Sequence, residues 1–479
     1  MTETDEAPLL RRVAGSALNL VGRRAGILLI SALSTAVVAR GLGPTGYGQL
    51  ASALAVWAIV LSASDIGFSL VLTRDLAVEA RQGSLLRAAY QTQGVWAVVL
   101  TLVVVVLALV DGFGTTRGQC LLVLAPSVLG VAVAGGRQVF VALYRSGELV
   151  VIDLGVQIVQ FAATAGAILA VAGPVLVATI VSVGSLVNML TVGYAARRHV
   201  PLEPTTRVVR RRLLRRVVPL GGVGFMSKAY MTLDLVLLGW LVSGPALGEY
   251  AVAVKVYSVL ITIPALITSA ALPALATMLE SATGFAAVTT RVWHWLLIVA
   301  MPLFVVAGVF APLAVSALAG GAYGDAVPLL RIMAVVGVVS VISNLLGTIL
   351  VARHMIRPLV IQNALAIALN VAGNVAFVPR YGVEAAAWTT LATELFVVGG
   401  ALAVLGRSLP LAEWRSVSLR PLGALGATLA AGLVFSPWPI AGAALTALAF
   451  VVAVSLLRAW PPELVLSRWS PSRPFRFSP

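Results

Sequence analysis

The sequence predicts an all-α polytopic membrane protein of about 14 transmembrane helices, on three observations. Of its 479 residues 60% are apolar and only 11% charged, whereas soluble chains run near half apolar and a quarter charged. The mean hydropathy is +1.01. The apolar residues also come in continuous runs of about 20 or more, the length that crosses a hydrocarbon core at 1.5 Å per residue. Transmembrane strands would alternate instead.

Taken in order, the runs cover 16–39, 47–73, 88–110, 119–142, 150–172, 174–195 and 217–242 in the first half. The second half holds 247–275, 292–317, 326–351, 358–378, 383–405, 419–436 and 439–457. The start, Met1 to Arg12, is short and acidic and leads into a full-length span, so no cleavable signal is expected. Basic residues set the orientation. With Arg11 and Arg12 in the cytoplasm, the same side receives Arg74, Arg81, Arg87, Arg145, Arg291, Arg353, Arg357, Arg407, Arg415, Arg420 and the basic C-terminal tail. The opposite side receives only Arg40, Arg117 and Arg380. Both termini are therefore expected in the cytoplasm of a multi-pass cytoplasmic-membrane protein. The net charge of +15 is topogenic on this reading. The longest connection, 196–216, carries eight arginines; it is expected to attract anionic lipid headgroups and not nucleic acid, since no aromatic platform accompanies it.

An internal duplication organises the chain. Gly43-Pro44-Thr45-Gly46-Tyr47-Gly48 follows the first span, and Gly244-Pro245-Ala246-Leu247-Gly248-Glu249-Tyr250 follows the seventh, on the same side. Tyr144-Arg145 and Ala352-Arg353 repeat at a similar offset. Six spans separate the copies, so the repeats are parallel and predict two pseudosymmetric six-helix lobes. The expected division is an N-lobe at 1–195, a basic cytoplasmic linker at 196–216, a C-lobe at 217–405, two C-terminal helices in 406–460 and a cytoplasmic tail at 461–479. Two lobes about a cavity is a transporter's architecture.

Ionisable groups at bilayer depth usually face a cavity or a partner. Both lysines, Lys228 and Lys255, fall within spans, and Asp234 and Lys255 reach matching depth on adjacent helices, as a pair would. Arg24 and Asp65 match in the same way in the first lobe, leaving Lys228 near mid-depth with no acid within a turn. Arg24, Lys228 and Lys255 are the candidate substrate cations. Asp65 and Asp234 are the candidate cavity ion-pair or coupling acids, and Arg137 and Arg331 are further intramembrane cations. Asp153 and Glu394 are carboxylates able to carry protons in a coupled cycle. Gln157, Gln160, Asn344, Asn363, Asn370 and Asn374 add hydrogen-bonding capacity, mostly for helix contacts. A slightly cationic cavity suits an anionic substrate such as a phosphate or pyrophosphate. A lone Cys120 and three scattered histidines offer no metal cluster. With no nucleophile–base arrangement or phosphate-binding glycine loop either, neither cofactor nor catalysis is expected.

Several segments resemble the polysaccharide-type flippases. They are Ala39-Arg40-Gly41-Leu42-Gly43-Pro44-Thr45-Gly46-Tyr47-Gly48, Asp65-Ile66-Gly67-Phe68, Thr73-Arg74-Asp75-Leu76-Ala77, Asp234-Leu235-Val236-Leu237-Leu238-Gly239, and Gly248-Glu249-Tyr250 leading to Ala253-Val254-Lys255-Val256-Tyr257 and Pro273. Pro379-Arg380-Tyr381-Gly382-Val383-Glu384-Ala385-Ala386-Ala387 resembles a further family segment but has Glu384 where glycine is usual. The resemblance reaches about residue 405. It implies the multidrug/oligosaccharidyl-lipid/polysaccharide exporter fold, alternating access, and an undecaprenyl-pyrophosphate-linked oligosaccharide substrate. Membrane lipids, and polysaccharide polymerase or export proteins, are the implied partners of a chain expected to be monomeric. A multidrug antiporter of the same superfamily is the alternative. A membrane polymerase or glycosyltransferase lacks its catalytic constellation here.

Overall fold

The computed structural model describes residues 3–65, 67–78 and 83–461; the side chains of 3–21, 24, 218–224, 227, 228 and 407 lie outside that description. Every regular element among the described residues is helical. The first is α1 (Glu3–Ser62), followed by α2 (Phe68–Val78), α3 (Gly83–Asp111), α4 (Thr116–Val128), α5 (Gly136–Ala142), α6 (Ser146–Leu169), α7 (Pro174–His199) and α8 (Arg207–Leu241). Then come α9 (Ala246–Thr277), α10 (Ala282–Trp295), α11 (Met301–Val309), α12 (Ala311–Ala319), α13 (Ala326–Ala352), α14 (Ile356–Tyr381), α15 (Val383–Leu405), α16 (Leu411–Phe435) and α17 (Pro439–Leu456).

Twelve described helical stretches are long and apolar enough to cross a membrane. One of them, Ala25–Ser62, has 38 residues, about 57 Å by helix rise and nearly twice a hydrocarbon core. It contains most of the first and of the second expected span, joined at Gly43, whose φ of 67° and ψ of 175° break the helix. Only glycine takes that conformation without strain. The expected seventh span lies in α8, whose apolar stretch Ala229–Leu241 is shorter than the rest. The fourth and ninth spans are each built from several pieces. The fourth passes from α4 through a 3-10 stretch at Leu129–Val133 into α5, and the ninth changes to a π-turn at Leu296–Ala300 just before Pro302. Pro126 and Pro302 each lack the N–H that a regular helix requires.

The chain forms two compact units. The first comprises Met1–Val252, Ala317–Tyr323 and Val371–Ala386; the second comprises Ala253–Ser316, Gly324–Asn370 and Ala387–Pro479. Within the first unit the two copies of the duplicated glycine motif touch. A Cβ on Gly48 would lie 2.5 Å from the Gly248 nitrogen, and one on Gly248 would meet the Pro44 carbonyl. Tyr323 donates from its hydroxyl to the Ala39 carbonyl at 2.8 Å and sets its ring edge-on to Tyr47.

A large apolar core joins α2, α3, α5, α6, α7 and the start of α8 through Phe68, Leu86, Phe140, Leu149, Val192 and Leu213. The basic linker is fastened along this core. Arg216 makes a two-pronged pair with Asp75 (2.5 and 2.8 Å), which holds the Arg216 guanidinium above its ordinary value. Arg197 lies over the Tyr90 ring, and His199 meets Glu148 at 2.8 Å. Arg207, Arg210, Arg211, Arg212 and Arg215 remain exposed.

Within the second unit a smaller cluster packs Ile298, Ala424 and Val454 together, and Trp293 stacks on Trp414.

Candidate functional site

The first unit holds a polar pocket of about 340 Å³ lined by α1, α5, α6 and α7. Its chemistry follows from helical spacing. Asp153, Gln157 and Gln160 stand at i, i+4 and i+7 on α6 and share one face; Gly184 and Asn188 repeat at i and i+4 on α7. Arg23 and Ile27 do the same on α1. Arg137 enters because the fourth span is broken. The 3-10 stretch and the turn at Gly135 re-aim the chain, so that α5 begins with its arginine toward α6.

Asp153, 5% exposed, is the centre. Arg137 grips it with both guanidinium ends, Nη1 to Oδ2 at 2.7 Å and Nη2 to Oδ1 at 3.0 Å. Arg23 Nη1 donates to the same Oδ2 at 2.6 Å, and Asn188 Nδ2 donates to Oδ1 at 3.0 Å. Arg137 Nη2 also donates to Asn188 Oδ1 at 3.0 Å, closing a ring. Four donors fill the lone pairs of one carboxylate. Two guanidiniums against one carboxylate leave a surplus positive charge. Arg137 remains one-third exposed and Arg23 about one-fifth, so both can offer further N–H groups to a ligand. Gln157, Gln160 and Ser185 supply neutral hydrogen-bonding groups, and Trp57, fixed by its Nε1 bond to Ser127 Oγ at 2.8 Å, supplies a flat wall. The arrangement can bind an anion; it holds no nucleophile–base pair.

Of the residues singled out from sequence, Arg137, Asp153, Gln157 and Gln160 line this pocket. The side chains of Arg24 and Lys228 lie outside the described residues. Asp65 is exposed and caps α2, its Oδ1 accepting from the Ser69 N–H at 2.8 Å. Asp234 accepts from the Tyr250 hydroxyl and from Asn374 Nδ2, both at 3.2 Å. Lys255 is partly buried on α9, in the second unit. Arg331 is exposed near the start of α13. Glu394 is buried and accepts from Ser343 Oγ at 2.7 Å. Sequence reasoning misses Arg23, Trp57, Ser185 and Asn188 as site residues. Arg137 and Asp153 carry a usable signal. One lies five residues before the end of its helix, the other seven after the start of the next, so depth arithmetic alone pairs them.

A second buried charge reads from sequence only as a topogenic residue. Arg117 Nε lies 3.2 Å from Asp111 Oδ2, its guanidinium sits 4.4 Å from the Trp240 ring centre, and Trp240 Nε1 donates to Asp111 Oδ1 at 2.7 Å. This group ties α3 and α4 to α8.

Fold and pocket together define a polytopic helical membrane protein with a cationic polar cavity inside its bundle. The family model for "Polysaccharide biosynthesis protein" matches residues 23–279, more than half of the chain, and the protein belongs to that family. Among solved structures, the chain is similar to the lipid II flippase MurJ in an inward closed conformation, with a TM-score of 0.70 at 12% identity over 92% of this chain and 98% of that one. It is also similar to an inward-facing multidrug-resistance MATE transporter of the MOP superfamily (TM-score 0.62, 13% identity, 81% and 96% covered). A third is the MATE multidrug transporter DinF-BH (TM-score 0.56, 13% identity, 83% and 95% covered). No curated protein sequence matches the chain. At these identities the likeness is one of fold.

Proposed function

We propose that the protein is a flippase that moves polyprenyl-pyrophosphate-linked oligosaccharide repeats across the cytoplasmic membrane by alternating access, for cell-surface polysaccharide synthesis. The observation that carries this is the surplus positive charge of the Arg23–Asp153–Arg137 pocket, inside the bundle of a chain from a polysaccharide biosynthesis family. A membrane-embedded cation with free N–H groups recognises phosphate. It repels the organic cations that a multidrug carrier must admit, so the flippase reading is preferred although the fold serves both. The protein acts as a monomeric carrier without cofactor, with both termini in the cytoplasm, the orientation that its arginine-rich connections favour.

The test is the orientation of lipid-linked intermediates in cells depleted of the protein. Accumulation of a polyprenyl-pyrophosphate glycan inaccessible from outside is expected, and its mass identifies the sugars. Normal glycan export with altered sensitivity to cationic drugs would overturn the reading in favour of the antiporter.

A further inference from the structure

Beside the cationic pocket runs a second concavity of about 420 Å³ between α6 and α7, lined by Gly155, Val156, Val159, Ala163, Ile180 and Val187 among others. Val159, Val183 and Val187 present exposed apolar surface there. An apolar face in a membrane ordinarily meets bulk lipid, but two features separate this one from a plain helix face. It is a groove, because Gly155 and Gly184 remove the side chains that would fill it. It is also continuous with the charged site, for Val156, Gln160 and Gly184 line both. Gln160 marks the junction. Its amide lies flat on Gly184, so close that a Cβ there would fall 2.4 Å from Oε1.

The order along the helices matters. On α6 the carboxylate that holds both arginines is seven residues from the helix start at Ser146, about 10 Å by helix rise. The groove continues from Gly155 to Ala163, about 12 Å further into the membrane. With the α6 start on the cytoplasmic side, the cationic cluster comes first, and the apolar trough runs on toward the bilayer centre beside Gln157 and Gln160. A lipid of the cytoplasmic leaflet has the same order.

We infer that the two concavities form one amphiphile site, in which Arg23 and Arg137 hold the pyrophosphate and the α6–α7 groove holds the head-proximal part of its single polyprenyl chain. This rests on the flippase reading and extends it to the lipid. A single trough between one helix pair suits one chain, whereas a diacyl phospholipid brings two. The consequence is that the chain is recognised within the first unit and is not left wholly to the bilayer.

The experiment uses the purified full chain in detergent and a farnesyl diphosphate carrying a diazirine on its isoprenoid. Photolabelling is expected on peptides covering 155–163 and 179–187, suppressed at least fivefold by excess inorganic pyrophosphate. Gly155→Phe is the filling variant, at a position where a Cβ meets nothing within 4 Å; Val159→Trp is a second filling variant should the first fold poorly. Each is expected to cut groove labelling at least fivefold while leaving inorganic pyrophosphate affinity, measured by calorimetry, within twofold of wild type. Label spread over other helices, or unchanged by pyrophosphate or by both variants, would overturn the inference while wild-type pyrophosphate binding left the flippase reading standing. Failure of wild-type protein to bind inorganic pyrophosphate would overturn the anionic-head site, and with it both readings.

Discussion

Replacing Asp153 with alanine leaves two guanidiniums facing each other with nothing between them. In the wild-type protein one nitrogen of each lies within 2.7 Å of the same carboxylate oxygen, so those two nitrogens stand no more than about 5 Å apart. At an effective dielectric of about 20 their repulsion is about 3 kcal/mol. The charged hydrogen bonds lost with the carboxylate add to that, and removing one partner of a buried pair typically costs about 3–5 kcal/mol in total. Asp153→Ala is therefore expected to lower stability by about 4 kcal/mol. Arg23→Ala removes a single bond and leaves Arg137 still paired, for a loss of about 1.5 kcal/mol. Arg137→Ala removes a two-pronged contact from a partly exposed side chain and falls between them.

The double variant Asp153→Ala with Arg137→Ala removes the repulsion and should recover about 2–3 kcal/mol relative to Asp153→Ala alone, a coupling of the size contacting charges show. The assay is thermal unfolding of the wild type, the two single variants and the double variant in one detergent, with membrane abundance as a parallel readout. Wild-type stability in Asp153→Ala, or a double variant no better than Asp153→Ala, would refute this account. Either result would mean that the arginines find solvent or lipid phosphate as readily as they find each other.

Three further outcomes follow from the same geometry. Arg137→Lys keeps the charge but loses the fork, so pyrophosphate binding by calorimetry should weaken about tenfold, the loss of one charged hydrogen bond; unchanged affinity would mean that only charge matters. Gly43→Ala forces a side chain into a glycine-only conformation and should cost about 1–3 kcal/mol, read as a lowered unfolding temperature, whereas Gly22→Ala on the same helix, in open space, should raise it slightly. Arg117→Ala leaves Asp111 buried without its cation and should cost about 3 kcal/mol in the same unfolding assay, while Arg117→Lys restores only part of it because the flat stack on Trp240 is lost.

The spans are legible in the sequence because the bilayer imposes one length and one composition on every crossing segment, whatever its neighbours do. The expected first span and most of the second are present as one bent helix, since an apolar run records where a chain crosses but not whether helical hydrogen bonding persists through the turn. Depth is likewise a one-dimensional property, and it brings Arg137 and Asp153 within reach of prediction. Rotation about the helix axis is not. Arg23 reaches Asp153 only through the packing of α1 on α6, which the sequence does not record. Arg23 carries no charge partner in the sequence reading, yet the pocket holds it. The same limit explains why Gln157 and Gln160 read as helix glue: their polarity is visible in the chain, but not that Gly184 on the facing helix leaves space in front of Gln160. A cavity is made as much by absent side chains as by present ones. Gly155 and Gly184, which carry no chemistry at all, therefore determine where an amphiphile could lie, and residues of this kind are the ones a reading by charge and motif passes over.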